Sequence, residues 1–281
     1  MQTATAPVLK YPGSKWTIAE WIIQHMPEHI IYLEPFFGGG AVFFNKRPSQ
    51  VETINDIDGN VTNLFKIIRE RPEDLARLVH FTPWARDEYS TIITSAKDPD
   101  PFIKTGDELE DARRFLIRCW MAFSGTTSDR TGWACDVAGK QYSGISRRWS
   151  RIPEQILQAT ERLKNVQIEN QPAVKIITRY RSVDTLIYCD PPYVRSTRYN
   201  RMYKHEMSDK DHIELLDVLD KHPGPVLLSG YDNDIYNERL KNWQRRSTLG
   251  LAAGYKERTE VLWLNYAAAS RINGVLDLEF D

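Results

Sequence analysis

Strand-length segments, each ended by turn residues, recur along the chain and predict a buried sheet. They are 30–33, 51–55, 185–189, 225–230, 243–249 and 259–266, and a glycine-containing turn joins the last two into a hairpin. Between them, apolar residues spaced three and four apart predict helices. The predicted helices cover 15–26, a segment beginning at 41, a segment after Asp58, 72–81, 84–96, 107–123 and 208–222. Strands that alternate with helices indicate an α/β fold.

The strand at 185–189 ends on two consecutive prolines, Pro191 and Pro192. Proline has no N–H for a strand ladder and is not tolerated in a helix interior. Its ring also fixes φ, so this turn is stiff. Asp190 is thereby held at the carboxyl end of a strand, where open α/β sheets bind ligands. We call residues 190–193 the ledge. Its carboxylate and the Pro191 carbonyl can accept hydrogen bonds from an amino group, and Tyr193 can stack on a flat heteroaromatic ring.

Three glycines, at positions 38–40, follow the first predicted strand and precede a helix. This is the arrangement of a first βα unit in a Rossmann-type fold, where glycines let a ligand approach the backbone. The last glycine of the dinucleotide pattern GxGxxG is missing, and Pro35, Phe36 and Phe37 crowd the loop. The loop therefore favours a ligand that has an adenosyl group and no pyrophosphate, such as S-adenosylmethionine.

Two polar segments flank this loop in the predicted sheet. Asp56 ends the second strand, about 20 residues past the glycines, where an acid binds ribose hydroxyls in this architecture. Asp58 is the predicted N-cap of the next helix. Near the amino terminus, Ser14 is the predicted N-cap of a helix from Lys15 to Met26, and such a helix start attracts anions.

Composition narrows the class of protein. The chain has 281 residues, 41% of them hydrophobic, and a formal net charge of −1. Three cysteines without paired spacing favour reduced, cytosolic thiols and argue against a zinc site. We expect no signal peptide and no membrane span, because no apolar run has the necessary length. The expected location is the cytoplasm, and no metal is expected.

Basic residues cluster in two loops although the net charge is close to zero. The segment 124–151 mixes arginine with hydroxyl and aromatic residues, and the segment 194–205 contains arginine, lysine and tyrosine and no acid. Such mixtures suit contacts to phosphates and base edges. A solvated loop is the alternative for each. The candidate nucleic-acid contacts are Arg130, Arg147, Arg148, Arg151, Arg195, Arg198 and Arg201.

Four segments occur in the order found in one enzyme family. They are LKYPGSK (9–15), LEPFFGGGAVFFN (33–45), NDID (55–58) and DPPY (190–193). In these segments the chain resembles the Dam-like (alpha-class) DNA adenine-N6 methyltransferases, over roughly residues 8–70 and 180–270. The resemblance implies that Asp190, Pro191, Pro192 and Tyr193 are catalytic. It implies that the cofactor is bound by Tyr11, Lys15, Phe36, Gly38, Gly40, Asp56 and Asp190.

The same resemblance implies the architecture and the reaction. The expected fold is a Rossmann-like S-adenosylmethionine-dependent methyltransferase sheet with an inserted, mainly helical target-recognition domain. Residues 1–70 and 175–281 would form the catalytic domain, and 71–174 the insertion. The expected reaction is methyl transfer to the N6 amine of adenine in double-stranded DNA, with the base flipped out onto Tyr193. Methylation of the cytosine N4 amine or of an amine outside DNA, and a catalytically silent module that binds cofactor or DNA, remain the alternatives. Protein partners and the target sequence are not predicted.

Overall fold

A computed structural model describes residues 6–94, 102–123, 131–135, 144–198, 201–251 and 257–278. Its centre is a seven-stranded sheet with the strand order β3-β2-β1-β4-β5-β7-β6. The strands are β1 Ile31–Glu34, β2 Val51–Asn55, β3 Gln167–Glu169, β4 Thr185–Cys189, β5 Val226–Gly230, β6 Gln244–Leu251 and β7 Glu257–Leu264. The first five pair in parallel, and β7 is antiparallel to both β5 and β6. The predicted closing hairpin is therefore confirmed.

Helices surround this sheet and connect its strands. They are α1 Ala19–Gln24, α2 Ala41–Asn45, α3 Gly59–Glu70, α4 Pro72–His80, α5 Arg86–Thr91, α6 Glu108–Met121, α7 Ile145–Trp149, α8 Ile152–Leu163, α9 Ala173–Ile177, α10 Asp209–Asp220, α11 Asp234–Arg239 and α12 Tyr266–Leu278. Asp58 caps α3 as predicted, because its side chain accepts a hydrogen bond from the Asn60 N–H. The α/β class is confirmed.

The strand order reverses beside β1, and this reversal creates a crevice. The chain goes from β1 outward through β2 and β3, and then returns to the other side of β1 as β4. Leu33 of β1 lies beside Ile187 of β4, so the two strands end at the same edge of the sheet. Ligands bind at such a switch point in open α/β sheets. The glycine loop after β1 and the ledge after β4 consequently face each other.

The central strands are buried on both faces. Along β4, Leu186 and Tyr188 belong to one hydrophobic cluster, whereas Ile187 and Cys189 belong to the other. This division follows from the alternation of side chains along a strand. Strands covered on both sides are nearly continuously apolar, which is why the sequence pattern located β4 and β5.

Helices of the region 71–174 share a hydrophobic core with the first half of the chain. Buried residues of α4, α6 and α8 belong to the same cluster as Leu64 and Phe65 of α3. This region also supplies β3, which pairs with β2. Arg162 of α8 forms an ion pair with Glu52 of β2 and lies over the Phe43 ring. The proposed domain boundaries at 70 and 174 stay a prediction.

Three local predictions differ from the structure, and strand β3 was not predicted. The loop predicted over 124–151 contains the helix α7 Ile145–Trp149. The first helix begins at Ala19, and Ile18, not Ser14, is its N-cap. Residues 12–18 form turns instead, with Gly13 at φ 71°, and this path brings the Lys15 side chain to Asp190. The helix predicted over 84–96 is limited to Arg86–Thr91. The sequence pattern does not predict strand β3, because its three residues, Gln-Ile-Glu, contain a single apolar position.

Candidate active site

A cavity of about 670 Å³ lies at the carboxyl ends of β1, β2 and β4. Its walls come from the amino-terminal loop, the glycine loop, the acids that end the strands, and the segment 201–207. The structure brings together around this cavity the whole set of residues predicted to bind a cofactor. They are Tyr11, Lys15, Phe36, Gly38, Gly40, Asp56 and Asp190. These residues come from motifs that are far apart in sequence, and the switch point of the sheet brings them together.

The glycine loop can contain no side chain at its two turning points. Gly38 has φ 49° and Gly40 has φ 65°, a backbone region that favours glycine. A β-carbon on Gly38 would lie 2.9 Å from Cδ1 of Tyr11, and one on Gly40 would lie 2.5 Å from Cζ of Phe37. Aromatic rings therefore press against the loop, and its backbone forms part of the cavity wall.

Asp56 is held at the cavity by the backbone. Its Oδ2 accepts a hydrogen bond of 2.8 Å from the Gly38 N–H, and its Oδ1 accepts one of 2.9 Å from the Asp58 N–H. Burial raises the pKa of Asp56 to about 7, although the Asp58 N–H partly opposes this shift. Each carboxylate oxygen has a further lone pair, so Asp56 can still accept hydrogen bonds from hydroxyl groups of a ligand.

Asp190 has one paired and one unpaired oxygen. Its Oδ2 forms an ion pair of 3.0 Å with Nζ of Lys15, whereas its Oδ1 is buried without a hydrogen-bond partner in the described parts of the chain. Burial raises the pKa of Asp190, and the nearby Lys15 partly lowers it. A buried acceptor without a donor is costly and marks a place where a ligand donor would bind.

Lys15 joins several groups of the site. Besides Asp190, its ammonium group donates a hydrogen bond of 2.7 Å to the Gly13 carbonyl and lies 4.7 Å from the centroid of the Tyr193 ring. Burial alone would lower the pKa of Lys15, but the negative charges of Asp190 and Glu260 outweigh it and raise the pKa above its usual value. Lys15 therefore stays charged.

Tyr193 is buried and contacts Glu260 and Tyr231, two residues that the sequence did not point to as part of the site. Its hydroxyl donates a hydrogen bond of 2.7 Å to Glu260 of β7, and its ring packs edge-on against Tyr231, with 4.6 Å between the centroids. Tyr231 and Arg258 line a second, open cavity of about 520 Å³. An available signal was Glu260 itself, an acid within the otherwise mainly apolar strand at 259–266.

Glu34, at the end of β1, is another residue of the cavity wall that was not singled out. It is buried and accepts a hydrogen bond of 2.7 Å from the Tyr32 hydroxyl. Burial raises the pKa of Glu34 to about 8. Glu34 lies inside the motif LEPFFGGG, so a polar residue at the end of a buried strand was the available signal.

The segment 201–207 forms a roof over the cavity. The Tyr203 hydroxyl donates a hydrogen bond of 3.3 Å to the Pro12 carbonyl, and a β-carbon on Gly13 would lie 2.1 Å from the same hydroxyl. Glu206 stabilises this segment by accepting hydrogen bonds from Arg198 and from the N–H groups of Met202 and Tyr203. The roof therefore contacts the amino-terminal loop, which lies 191 residues earlier in the chain.

The arginines predicted to contact nucleic acid fall into two environments. The Arg198 side chain is only 6% exposed and is paired with Glu206 inside the protein. The others among the described residues are exposed to solvent: Arg147, Arg148, Arg151, Arg195 and Arg201. Arg195 and Arg201 also line the large cavity. Arg130 lies outside the described residues.

Within the described ranges, no three His, Cys, Asp or Glu side chains form a group that could hold a metal ion. Within the same ranges, no helix is both long and apolar enough to cross a membrane.

The structure is thus a Rossmann-like α/β fold, with a glycine loop and an acidic proline turn at the switch point of its sheet and an antiparallel hairpin at its edge. Residues 11–249 match the family described as D12 class N6 adenine-specific DNA methyltransferase. The chain belongs to this family, and it is a DNA adenine-N6 methyltransferase. The resemblance found in the sequence is thereby confirmed.

Relatives from bacteria and a phage are similar over different lengths. The type II methyltransferase M1.LlaDCHI of Lactococcus lactis subsp. cremoris is 27% identical, with 92% of this chain and 95% of that protein covered. The DNA adenine methylase of Serratia marcescens is 22% identical, with 96% and 97% covered. The DNA N-6-adenine-methyltransferase of Escherichia phage P1 is 25% identical, with 66% and 24% covered.

Among solved structures, an rRNA methylase from Streptococcus thermophilus has a TM-score of 0.34 and 8% sequence identity, with 89% of this chain and 94% of that chain covered. The family assignment depends on the sequence matches.

Proposed function

We propose that the enzyme transfers a methyl group from S-adenosylmethionine to the N6 amine of an adenine flipped out of double-stranded DNA. The observation that carries this proposal is Asp190, whose buried Oδ1 has no donor in the described parts of the chain. The acceptor lies at the carboxyl end of a strand, beside a cavity with room for a nucleoside-sized ligand. A donor from the substrate would complete this site.

The cavity fits the proposed cofactor. Its volume of about 670 Å³ is typical of sites for small ligands, and glycines form the wall nearest to Tyr11. Asp56 would bind the ribose hydroxyls, and Tyr11 and Phe36 would cover the apolar parts of the ligand. Glu34 and Lys15 add one acid and one cation to the wall. When bound, S-adenosylmethionine supplies an electrophilic methyl group on a sulfonium centre.

The ledge would orient the target amine. The lone pair of an exocyclic adenine amine is delocalised into the ring, so this amine is a poor nucleophile. Asp190 Oδ1 and the Pro191 carbonyl would accept hydrogen bonds from both amine protons, which favours a pyramidal nitrogen with its lone pair directed away from them. The carboxylate would also stabilise the positive charge that develops on nitrogen. Because these groups are already placed, they provide positioning and electrostatic stabilisation together.

The base must leave the duplex to reach this ledge, since the amine inside stacked DNA is inaccessible to such an arrangement. The Tyr193 ring would stack on the flipped base, beside the open cavity that Tyr231 and Arg258 line. Exposed arginines of the roof and of the α7–α8 region would contact the DNA around it. We place this reaction in the cytoplasm of a bacterial or phage-infected cell, where such DNA is found.

The test is methyl transfer from labelled S-adenosylmethionine to DNA that lacks methylated bases, followed by nucleoside analysis. We expect label in N6-methyl-2′-deoxyadenosine only. Label in N4-methyl-2′-deoxycytidine would support the cytosine alternative, and binding of cofactor and DNA without transfer would identify a silent module. Asp190→Asn is the matched control, because it keeps the shape of the side chain and removes its charge.

A further inference from the structure

The Tyr193 hydroxyl is held by a carboxylate that belongs to none of the sequence motifs. Glu260 lies on β7, and its Oε2 accepts the hydrogen bond of 2.7 Å from this hydroxyl. Tyr193 is buried, and Tyr231 packs edge-on against its ring. Lys15 lies over the same ring, with its Nζ 4.7 Å from the centroid. The hydrogen bond to Glu260 therefore fixes the direction of a ring that neighbours contact on other sides.

Asp190 is a second carboxylate near this hydroxyl. Burial raises the pKa of Asp190, and Lys15 and the Tyr193 hydroxyl both lower it in part. The hydroxyl nevertheless bonds to Glu260, and Asp190 Oδ1 stays without a donor in the described ranges. A tyrosine hydroxyl has a single proton to donate. A hydroxyl that donates to Glu260 cannot also occupy the acceptor at Asp190.

We propose that Glu260 is a positioning residue for the methyl transfer: it holds the Tyr193 hydroxyl and thereby leaves Asp190 Oδ1 open for the target amine. Glu260 acts through Tyr193 and does not touch the substrate. The same contact sets the plane of the aromatic ring against which the base stacks. This inference rests on the proposed function, because it concerns the ledge on which the amine would bind.

The experiment measures kcat and KM for unmethylated plasmid DNA with labelled S-adenosylmethionine. Glu260→Ala should lower kcat on the order of tenfold or more, as expected for loss of a hydrogen bond to a charged group. The KM for DNA and the affinity for S-adenosylmethionine should change less than twofold. Glu260→Gln should restore most of kcat, because its amide oxygen can still accept the tyrosine hydrogen bond.

Tyr193→Phe provides the decisive background. It retains the ring and removes the hydroxyl, so Glu260 loses this hydrogen bond and keeps only its charge interaction with Lys15. In this background Glu260→Ala should change kcat less than twofold, which is the signature of two residues acting as one unit. Glu238→Gln, an exposed carboxylate on α11, is the control and should leave kinetics unchanged.

Three outcomes would overturn the inference: an unchanged kcat in Glu260→Ala, an equal loss in Glu260→Ala and Glu260→Gln, or a full additional loss in the Tyr193→Phe background. Asp190→Ala separates this failure from failure of the proposed function. If Asp190→Ala keeps the wild-type kcat, the ledge is not the reaction site. If Asp190→Ala is inactive and Glu260→Ala is unaffected, only the role of Glu260 is refuted.

Discussion

The ledge and the arginine-bearing surface at α7 and α8 differ in how their charged groups are held. At the ledge, Asp190 is paired with Lys15, and the Lys15 side chain is only 6% exposed. On the α7–α8 surface, Arg147, Arg148 and Arg151 are exposed to solvent. Exposed charges interact weakly and are screened by salt, whereas buried groups keep fixed positions. The ledge can therefore hold bound atoms in fixed positions, whereas the arginines of the α7–α8 surface offer charges that salt screens.

The largest effect that separates the two regions is expected from Asp190→Ala. It removes one acceptor for the amine and the charge that stabilises the developing cation. We expect turnover to fall on the order of 10³-fold, the range seen when a group that stabilises transition-state charge is removed. Labelled methyl transfer under saturating DNA measures it.

A urea titration shows whether the Asp190→Ala protein is folded. Near wild-type turnover of folded Asp190→Ala would refute the assignment of the ledge.

Asp56→Ala tests the cofactor side of the same region. If the ribose hydroxyls bond to a carboxylate, S-adenosylmethionine binding should weaken by about 1.5–3 kcal/mol. Calorimetry measures this difference directly, and DNA affinity in the absence of cofactor serves as the control. An unchanged affinity would move the ribose partner to another residue, with Asp58 the first to examine.

Arg198→Ala tests the difference between buried and exposed arginines. Arg198 is a predicted DNA contact, but its side chain is buried in the structure. Its removal leaves Glu206 without its ion-pair partner beneath the roof. We expect a loss of about 1.5–3 kcal/mol in the free energy of unfolding, measured by urea titration. Arg195→Ala, an exposed neighbour, should change stability by less than about 0.5 kcal/mol. Equal effects on stability would show that Arg198 is not fixed in the way the structure indicates.

The pH dependence of cofactor binding should identify Asp56 a second time. Burial raises the pKa of Asp56 to about 7, so its carboxylate form dominates above that pH and its protonated form below it. The carboxylate is the better acceptor for hydroxyl groups, so affinity for S-adenosylmethionine should rise about tenfold between pH 6 and pH 8.

Glu34 is a second titrating group of the cavity, since burial raises its pKa to about 8. Asp56→Asn separates the two groups. The rise in affinity should disappear in this variant, and persistence of the full rise would assign it to Glu34 or another acid.

The smallest effects are expected on the α7–α8 surface. An arginine that contacts a phosphate should lower the slope of log affinity against log salt by about 0.9 when it is replaced by alanine, with a similar loss for every sequence. An arginine that reads a base should cost about 1–3 kcal/mol at one position of the target site. Arg147→Ala, Arg148→Ala and Arg151→Ala are each measured on a randomised DNA library with salt titration. If affinity and preferred sequence stay unchanged, this surface is solvated and does not read DNA.

Local signals explain which parts of the site could be predicted. The glycine loop, Asp56 and the ledge lie in short motifs. The backbone conformation of such a motif depends on adjacent residues, such as glycine at positive φ or two prolines after a strand. Strand β4 was predicted correctly because it is mainly apolar and buried on both faces.

Contacts between distant segments explain the rest. Glu260 lies 67 residues from Tyr193, and Tyr203 lies 191 residues from Pro12. No local pattern specifies such pairs, since they depend on which strand occupies the sheet edge and on how the loops meet. The Ser14 cap was wrong for a similar reason. The buried ion pair of Lys15 with Asp190, a tertiary contact, accompanies turns where local propensity favoured a helix.

The roof over the cavity bears on how many methyl groups the enzyme adds during one encounter with DNA. Tyr203 ties the roof to Pro12, and Arg201 and Lys204 of the same segment line the cavity. If Arg201 also contacts DNA as proposed, the roof is held down for as long as DNA is bound. Replacement of the spent cofactor would then be slow while DNA is bound, which would favour one methyl group per visit.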